Sequence, residues 1–199
     1  MRKNSYLVQF VSEGTVLKEY TLSYGDAIPA QEKPTREGYT FVSWDKNVPD
    51  TVSDENVKKG KLVFKAVWKE IAYTISYNLA GGSLPTGKTN PTTFTINSKP
   101  MDLVQPKREG YTFEGWSGTD IKEKDTQVTV TARPLKDRTY TANWKENSYT
   151  IVFNVEGEVT RGEMKNIPLR YTQETTIPKN GYVCGGYKFV GWRTGGKKK

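Results

Sequence analysis

The sequence predicts a mainly β protein made of tandem copies of one small unit. Three observations carry this. Residues 36–44 read REGYTFVSW and residues 108–116 read REGYTFEGW, with a looser copy, GYKFVGW, at residues 186–192. An opening phrase recurs as Tyr6-Leu-Val-Gln-Phe10, Tyr73-Thr-Ile-Ser-Tyr77 and Tyr149-Thr-Ile-Val-Phe153, and a closing phrase as residues 64–70 and 140–146. Apolar and polar residues alternate within these phrases, the period of a strand.

The repeat is long. Tyr39 and Tyr111 are 72 residues apart, and Tyr111 and Tyr187 are 76 apart. Solenoids and propellers repeat every ~20–50 residues. The longer spacing points to small modules, each near the size where a single core becomes marginal. The predicted modules are 1–70, 71–146 and 147–199, arranged as beads in an elongated array. With 12% aromatic but only 35% hydrophobic residues, each core must come from a few large rings.

In the first module, Tyr6–Val11 and Thr15–Leu22 flank the turn-like Ser12-Glu13-Gly14 and read as a β-hairpin. Pro29 and Pro34 make the next stretch irregular, because proline removes a donor and fixes φ. Strict alternation over Tyr39–Trp44 predicts Tyr39, Phe41 and Ser43 on one face and Thr40, Val42 and Trp44 on the other. Asp50–Glu55 is a modest helix candidate. Lys61–Trp68 closes the module with Leu62, Phe64, Ala66 and Trp68 together. The second module repeats the plan, with strands expected over Tyr73–Leu79, Thr92–Ile96, Tyr111–Trp116 and Arg138–Trp144. A short extra strand is expected over Gln127–Ala132. The third module runs from Tyr149 to Trp192 with no counterpart of the closing strand. Three readings stay open: a boundary inside a repeat, a short unit stable as it stands, or a strand supplied by another chain. The joints Lys69-Glu-Ile-Ala72 and Lys145-Glu-Asn-Ser148 contain no glycine, which favours a semi-rigid rod.

These phrases resemble the Listeria–Bacteroides repeat, also called the internalin B-repeat family. The resemblance rests on Tyr-x-(Ile/Val)-x-(Phe/Tyr), on residues 34–44, on Gly110–Trp116, and on Trp68-Lys69 and Trp144-Lys145. Asn78-Leu-Ala-Gly-Gly-Ser-Leu-Pro-Thr-Gly87 matches a further family phrase. The resemblance implies small β-grasp-like (α+β) modules on bacterial surface proteins, commonly in tandem between a ligand-binding head and a wall anchor. It implies no catalytic residues. A leucine-rich head, a signal peptide and a wall-sorting motif are not found in this sequence. Leu84-Pro85-Thr86-Gly87 lacks the spacer residue of such a motif.

Composition narrows the chemistry. The absence of histidine removes the commonest general base and metal ligand. Cys184 is alone, so neither an intrachain disulfide nor a cysteine zinc site can form. It reads as a small hydrophobe, with a reactive thiol or intermolecular link as the alternative. The net charge of +8 is uneven, with +1 over residues 1–72, +2 over 73–148 and +5 over 149–199. Much of the last excess is the Lys197–Lys199 tail, read as a solvated end or as an attraction to anionic polymer. The near-neutral first modules argue against a continuous nucleic-acid track. No apolar run approaches the ~20 residues that span a membrane.

Gly-Tyr-x-Phe-x-x-Trp invites a sugar-stacking reading, yet its recurrence favours a folding signature. Arg36-Glu37 and Arg108-Glu109 read as turn-edge charges. Ala80–Ser83 and Gly87-Lys88-Thr89 lack the spacing of a phosphate loop, and no calcium loop is present. No catalytic, metal or cofactor-binding residue is assigned, no cofactor is expected, and the ligand-binding residues stay open. The predicted function is a non-enzymatic spacer, stalk or adhesin scaffold at a bacterial cell surface. The alternative is a binding module for wall polymer, host glycan or a virion partner, located on a virion surface. Partners are a protein or a surface polymer, and the protein is a monomer or self-associates weakly through the partial third module.

Overall fold

The computed structural model describes residues 4–57 and 60–194, so the Lys197–Lys199 tail lies outside the described residues. The chain divides into two units. One is Met1–Ser76 with Asn90–Leu103 and Thr129–Thr139; the other is Tyr77–Thr89 with Val104–Val128 and Tyr140–Lys199.

The first repeat holds β1 (Ser5–Ser12), β2 (Thr15–Ser23), β3 (Tyr39–Trp44) and β4 (Lys61–Glu70). β1 and β2 form the expected hairpin. Glu13 and Gly14, at φ 48° and 84°, both take the left-handed conformation that suits a two-residue hairpin turn. The sheet order is β2-β1-β4-β3. β1 and β4 run parallel, with Phe10 opposite Phe64. The two rings stack at 5.0 Å between centroids. Tyr6, Val8, Phe10, Ile28, Val52, Leu62 and Phe64 form the buried core, with Tyr20, Leu22 and Trp44 against it.

Two expectations are corrected here. Asp50–Glu55 is not helical; the segment turns. Asn56 is the reason. Its Oδ1 accepts from the Ser53 amide at 3.0 Å and its Nδ2 donates to the Thr51 carbonyl at 3.0 Å. This local pairing competes with helical hydrogen bonds. The strict alternation of Tyr39–Trp44 also fails. The register against β4 shifts between Phe41 and Ser43, so Phe41 faces Trp68 while Trp44 faces Ala66. Val42 is the extra residue of a β-bulge. Phe41 and Trp44 therefore share a face, with rings 5.2 Å apart.

The second repeat holds β5 (Tyr73–Asn78), β6 (Thr93–Phe94), β7 (Met101–Asp102), β8 (Tyr111–Gly118), β9 (Ile121–Asp125), β10 (Thr129–Val130) and β11 (Arg138–Glu146). Their orders are β6-β5-β11-β8-β9 and β10-β7. The strand expected over Thr92–Ile96 shortens to β6, and the one over Gln127–Ala132 to β10. β8 carries the same bulge, at Glu114, so Phe113 faces Trp144 and Trp116 faces Ala142. Asn143 fills the bulge. Its Nδ2 donates to the Gly115 carbonyl at 3.1 Å and to Ser117 Oγ at 2.8 Å. Trp116, Phe94 and Val130 are buried.

In the third repeat, β12 (Ser148–Ile151) pairs antiparallel with β13 (Ile167–Arg170). Residues 187–192 match the strand phrase in sequence, yet they lie in no strand. Among the described residues all regular structure is β and none is helical. The mainly β class holds, and the strand order alone carries the β-grasp-like description.

Candidate functional site

The recurring phrases meet at the joints between repeats. β4 ends at Glu70 and β5 begins at Tyr73, so two residues lie between them. β11 ends at Glu146 and β12 begins at Ser148, with Asn147 alone between. At each joint the first linker residue is tied back to the glycine of the Gly-Tyr-Thr-Phe phrase. The Ile71 amide donates to the Gly38 carbonyl and the Asn147 amide to the Gly110 carbonyl, both at 2.9 Å.

That glycine is also the seat for the next repeat. At Gly38 an added Cβ would lie 2.8 Å from Ile96 Cβ. At Gly110 it would lie 2.1 Å from the Tyr171 ring. Both glycines have positive φ, 77° and 74°, which side chains rarely adopt. The following tyrosine completes the seat. Asn97 Nδ2 donates to the Tyr39 hydroxyl at 2.7 Å, and the Tyr111 and Tyr171 rings meet edge to face at 6.0 Å. The preceding arginine stacks on it, Arg36 at 3.8 Å from the Tyr39 centroid and Arg108 at 3.7 Å from that of Tyr111.

The glutamate that ends each Trp-Lys-Glu phrase takes the third contact. Glu70 Oε1 accepts from Asn97 Nδ2 at 2.6 Å. Glu146 accepts from the Thr172 amide at 2.9 Å and from the Thr172 hydroxyl. Hydrogen bonds from Thr95 and Asn97 hold the Glu70 carboxyl below its ordinary pKa, and those from Thr172 do the same for Glu146. Glu37 pairs with Arg133 and is lowered likewise. That pair is more than half exposed on both sides, so it contributes little.

Sequence reasoning treated these arginines and glutamates as turn edges and linker residues. The structure makes Glu37, Glu70 and Glu146 part of the joints. Their partners Ile96, Asn97, Tyr171 and Thr172 lie in segments that do not repeat, so no periodic signal marked them. The aromatics of the phrase go to packing. Trp68 Nε1 donates to Ser12 Oγ and Trp144 Nε1 to the Leu79 carbonyl, each at 3.0 Å.

The depressed carboxylates give a pH dependence. A lowered folded-state pKa contributes stability above the unfolded value, and that contribution is lost as pH falls through the folded value. Exchange of the Thr172 amide should therefore accelerate as pH drops below the ordinary glutamate range, after correction for intrinsic rates. Glu146→Gln should remove the extra acceleration. Exchange as slow at pH 3 as at pH 6 would contradict the joint.

Other chemistry is sparse. Among the described residues no group of three or more Cys, Asp or Glu is placed to hold a metal ion. No helix is long and apolar enough to cross a membrane. Cys184 is a free, half-buried thiol.

Comparison with known proteins agrees with the repeat reading. The Listeria-Bacteroides repeat domain model matches residues 6–66, 73–143 and 149–199. Two relatives come from Evansella cellulosilytica. One, described as a "Putative Gly-rich membrane protein", is 27% identical over 95% of this chain and 21% of its own length. The other, a "Putative membrane protein", is 25% identical over 96% of this chain and 29% of its own. Internalin H of Listeria monocytogenes is 30% identical over 56% of this chain and 20% of its own length. The chain thus spans less than a third of each of these relatives. No solved structure matches it.

Proposed function

The chain belongs to the Listeria-Bacteroides repeat family, and from that premise we propose that it is a non-catalytic spacer segment of a bacterial surface protein. Two kinds of support exist for the surface setting: the family match, and relatives whose names are membrane proteins and an internalin. For the spacer role the support is one observation, the joint. Twice along the chain the same glycine, tyrosine and glutamate receive the following repeat, across linkers of two residues and one. A linker that short, tied at its first residue, has little conformational freedom to lose or to spend. Repeats coupled in this way transmit orientation from one to the next, which a tether does not need and a stalk does.

The test is at the first joint. Spin labels on the exposed Lys18 and Lys99, with Cys184→Ser to leave two labelled sites, should report one narrow distance distribution. A binding array on flexible linkers would give a broad one.

A further inference from the structure

We infer that the third repeat carries a binding groove for one extended β-strand with the closing-strand pattern, aromatic-x-Ala-x-Trp. The groove lies between Asn154–Glu156 and Tyr187–Arg193, with a volume of about 730 Å³. It is the third instance of a place that the first two repeats fill. In the first repeat β4 lies between β1 and β3 and brings Trp68 to Phe41, centroids 5.7 Å apart. In the second, β11 brings Trp144 to Phe113 at 5.4 Å.

The rings that flank that strand are already arranged in the third repeat. Phe153 meets Trp192 at 4.9 Å, as Phe10 meets Trp44 at 4.9 Å. Phe189 meets Trp192 at 5.0 Å, as Phe41 meets Trp44 at 5.2 Å. What differs is the cover. Phe189 is 45% exposed and Tyr187 is 83% exposed, and residues 187–192 pair with no strand among the described residues. The five residues after Thr194 are Gly-Gly-Lys-Lys-Lys, with no apolar side chain to supply the pattern.

The occupant is a free segment rather than a second copy of this chain. Both closing strands here, β4 and β11, already have a neighbour on each edge. Lending either would unpair two ladders to gain two. A segment not yet in a sheet has no such cost. It would add by main-chain pairing, with its aromatic and tryptophan side chains entering the groove. This inference concerns the third repeat alone and does not depend on the spacer reading.

The experiment uses the full chain and a fluorescent peptide with the sequence Arg138–Glu146. Saturable one-to-one binding is expected, with a scrambled peptide at least tenfold weaker. Phe189→Ala and, separately, Tyr187→Ser should each weaken binding about tenfold, while amide spectra of β1–β4 stay unchanged. Absence of saturable binding would overturn the inference. Equal affinity for the scrambled peptide, or no response to either substitution, would do so too. So would a self-dimer that forms through this groove and is lost in Phe189→Ala.

Discussion

Gly110→Ala should destabilise the second joint out of proportion to its size. The backbone there sits at φ 74°, and a side chain in the left-handed region costs about 1–2 kcal/mol. The new methyl would also occupy the space of the Tyr171 ring, which approaches to 2.1 Å of its position. Gly87 supplies the control, because it has the same φ of 74° with nothing within 4 Å of an added Cβ. Gly87→Ala should show the backbone cost alone. The difference between the two is the joint, and it should appear as faster hydrogen exchange at Asn147, Tyr171 and Thr172. Tyr171→Ala in the Gly110→Ala background should recover part of that difference by relieving the overlap. Indistinguishable behaviour of the two glycine variants would mean that Tyr171 is not seated on Gly110.

Phe64→Ala is expected to have the largest effect on stability, about 3–5 kcal/mol by comparison with other buried phenylalanine truncations. Phe64 is fully buried, stacks on Phe10, and lies on the central strand β4. In so small a core the loss is a large share of the total stability. Chemical denaturation followed by tryptophan fluorescence would measure it, with Trp44 and Trp68 reporting on this repeat. A loss below 1 kcal/mol would show that the parallel pairing of β1 with β4 is not the centre of the first repeat.

The strands were legible wherever a phrase carried its own alternation and its own turn. Ser12-Glu13-Gly14 announced the first hairpin, and the closing phrases announced β4 and β11. The bulge was half legible. In Gly-Tyr-x-Phe-x-x-Trp the phenylalanine and tryptophan are three apart, a spacing that alternation sends to opposite faces. Both residues are core-sized, and only an extra residue between them lets both face inward. β9 was not legible, because Ile121-Lys-Glu-Lys-Asp125 has one apolar residue and is held at the sheet edge by pairing with β8. The same dependence explains residues 187–192: the phrase is there, but a strand exists only through a partner. The joints were legible on one side. Gly38, Glu70, Gly110 and Glu146 recur, whereas Ile96, Asn97, Tyr171 and Thr172 sit in unlike loops that arrive from elsewhere in the chain.

That one-sidedness also explains how the two joints differ chemically. The first uses an aliphatic side chain and an amide, the second an aromatic ring and a hydroxyl. The seat is constant because the repeat needs it for its own turn, and each following loop meets it with whatever it carries.

The central claim is that adjacent repeats are locked rather than tethered, and electron–electron distance measurement across the first joint tests it most directly. With labels at Lys18 and Lys99, a single narrow distribution is expected. It should broaden when Asn97→Ala and Ile96→Gly together remove the contacts to Tyr39, Glu70 and Gly38. A distribution already broad in the parent chain, and unchanged by those substitutions, would contradict the lock and leave the repeats as independent beads.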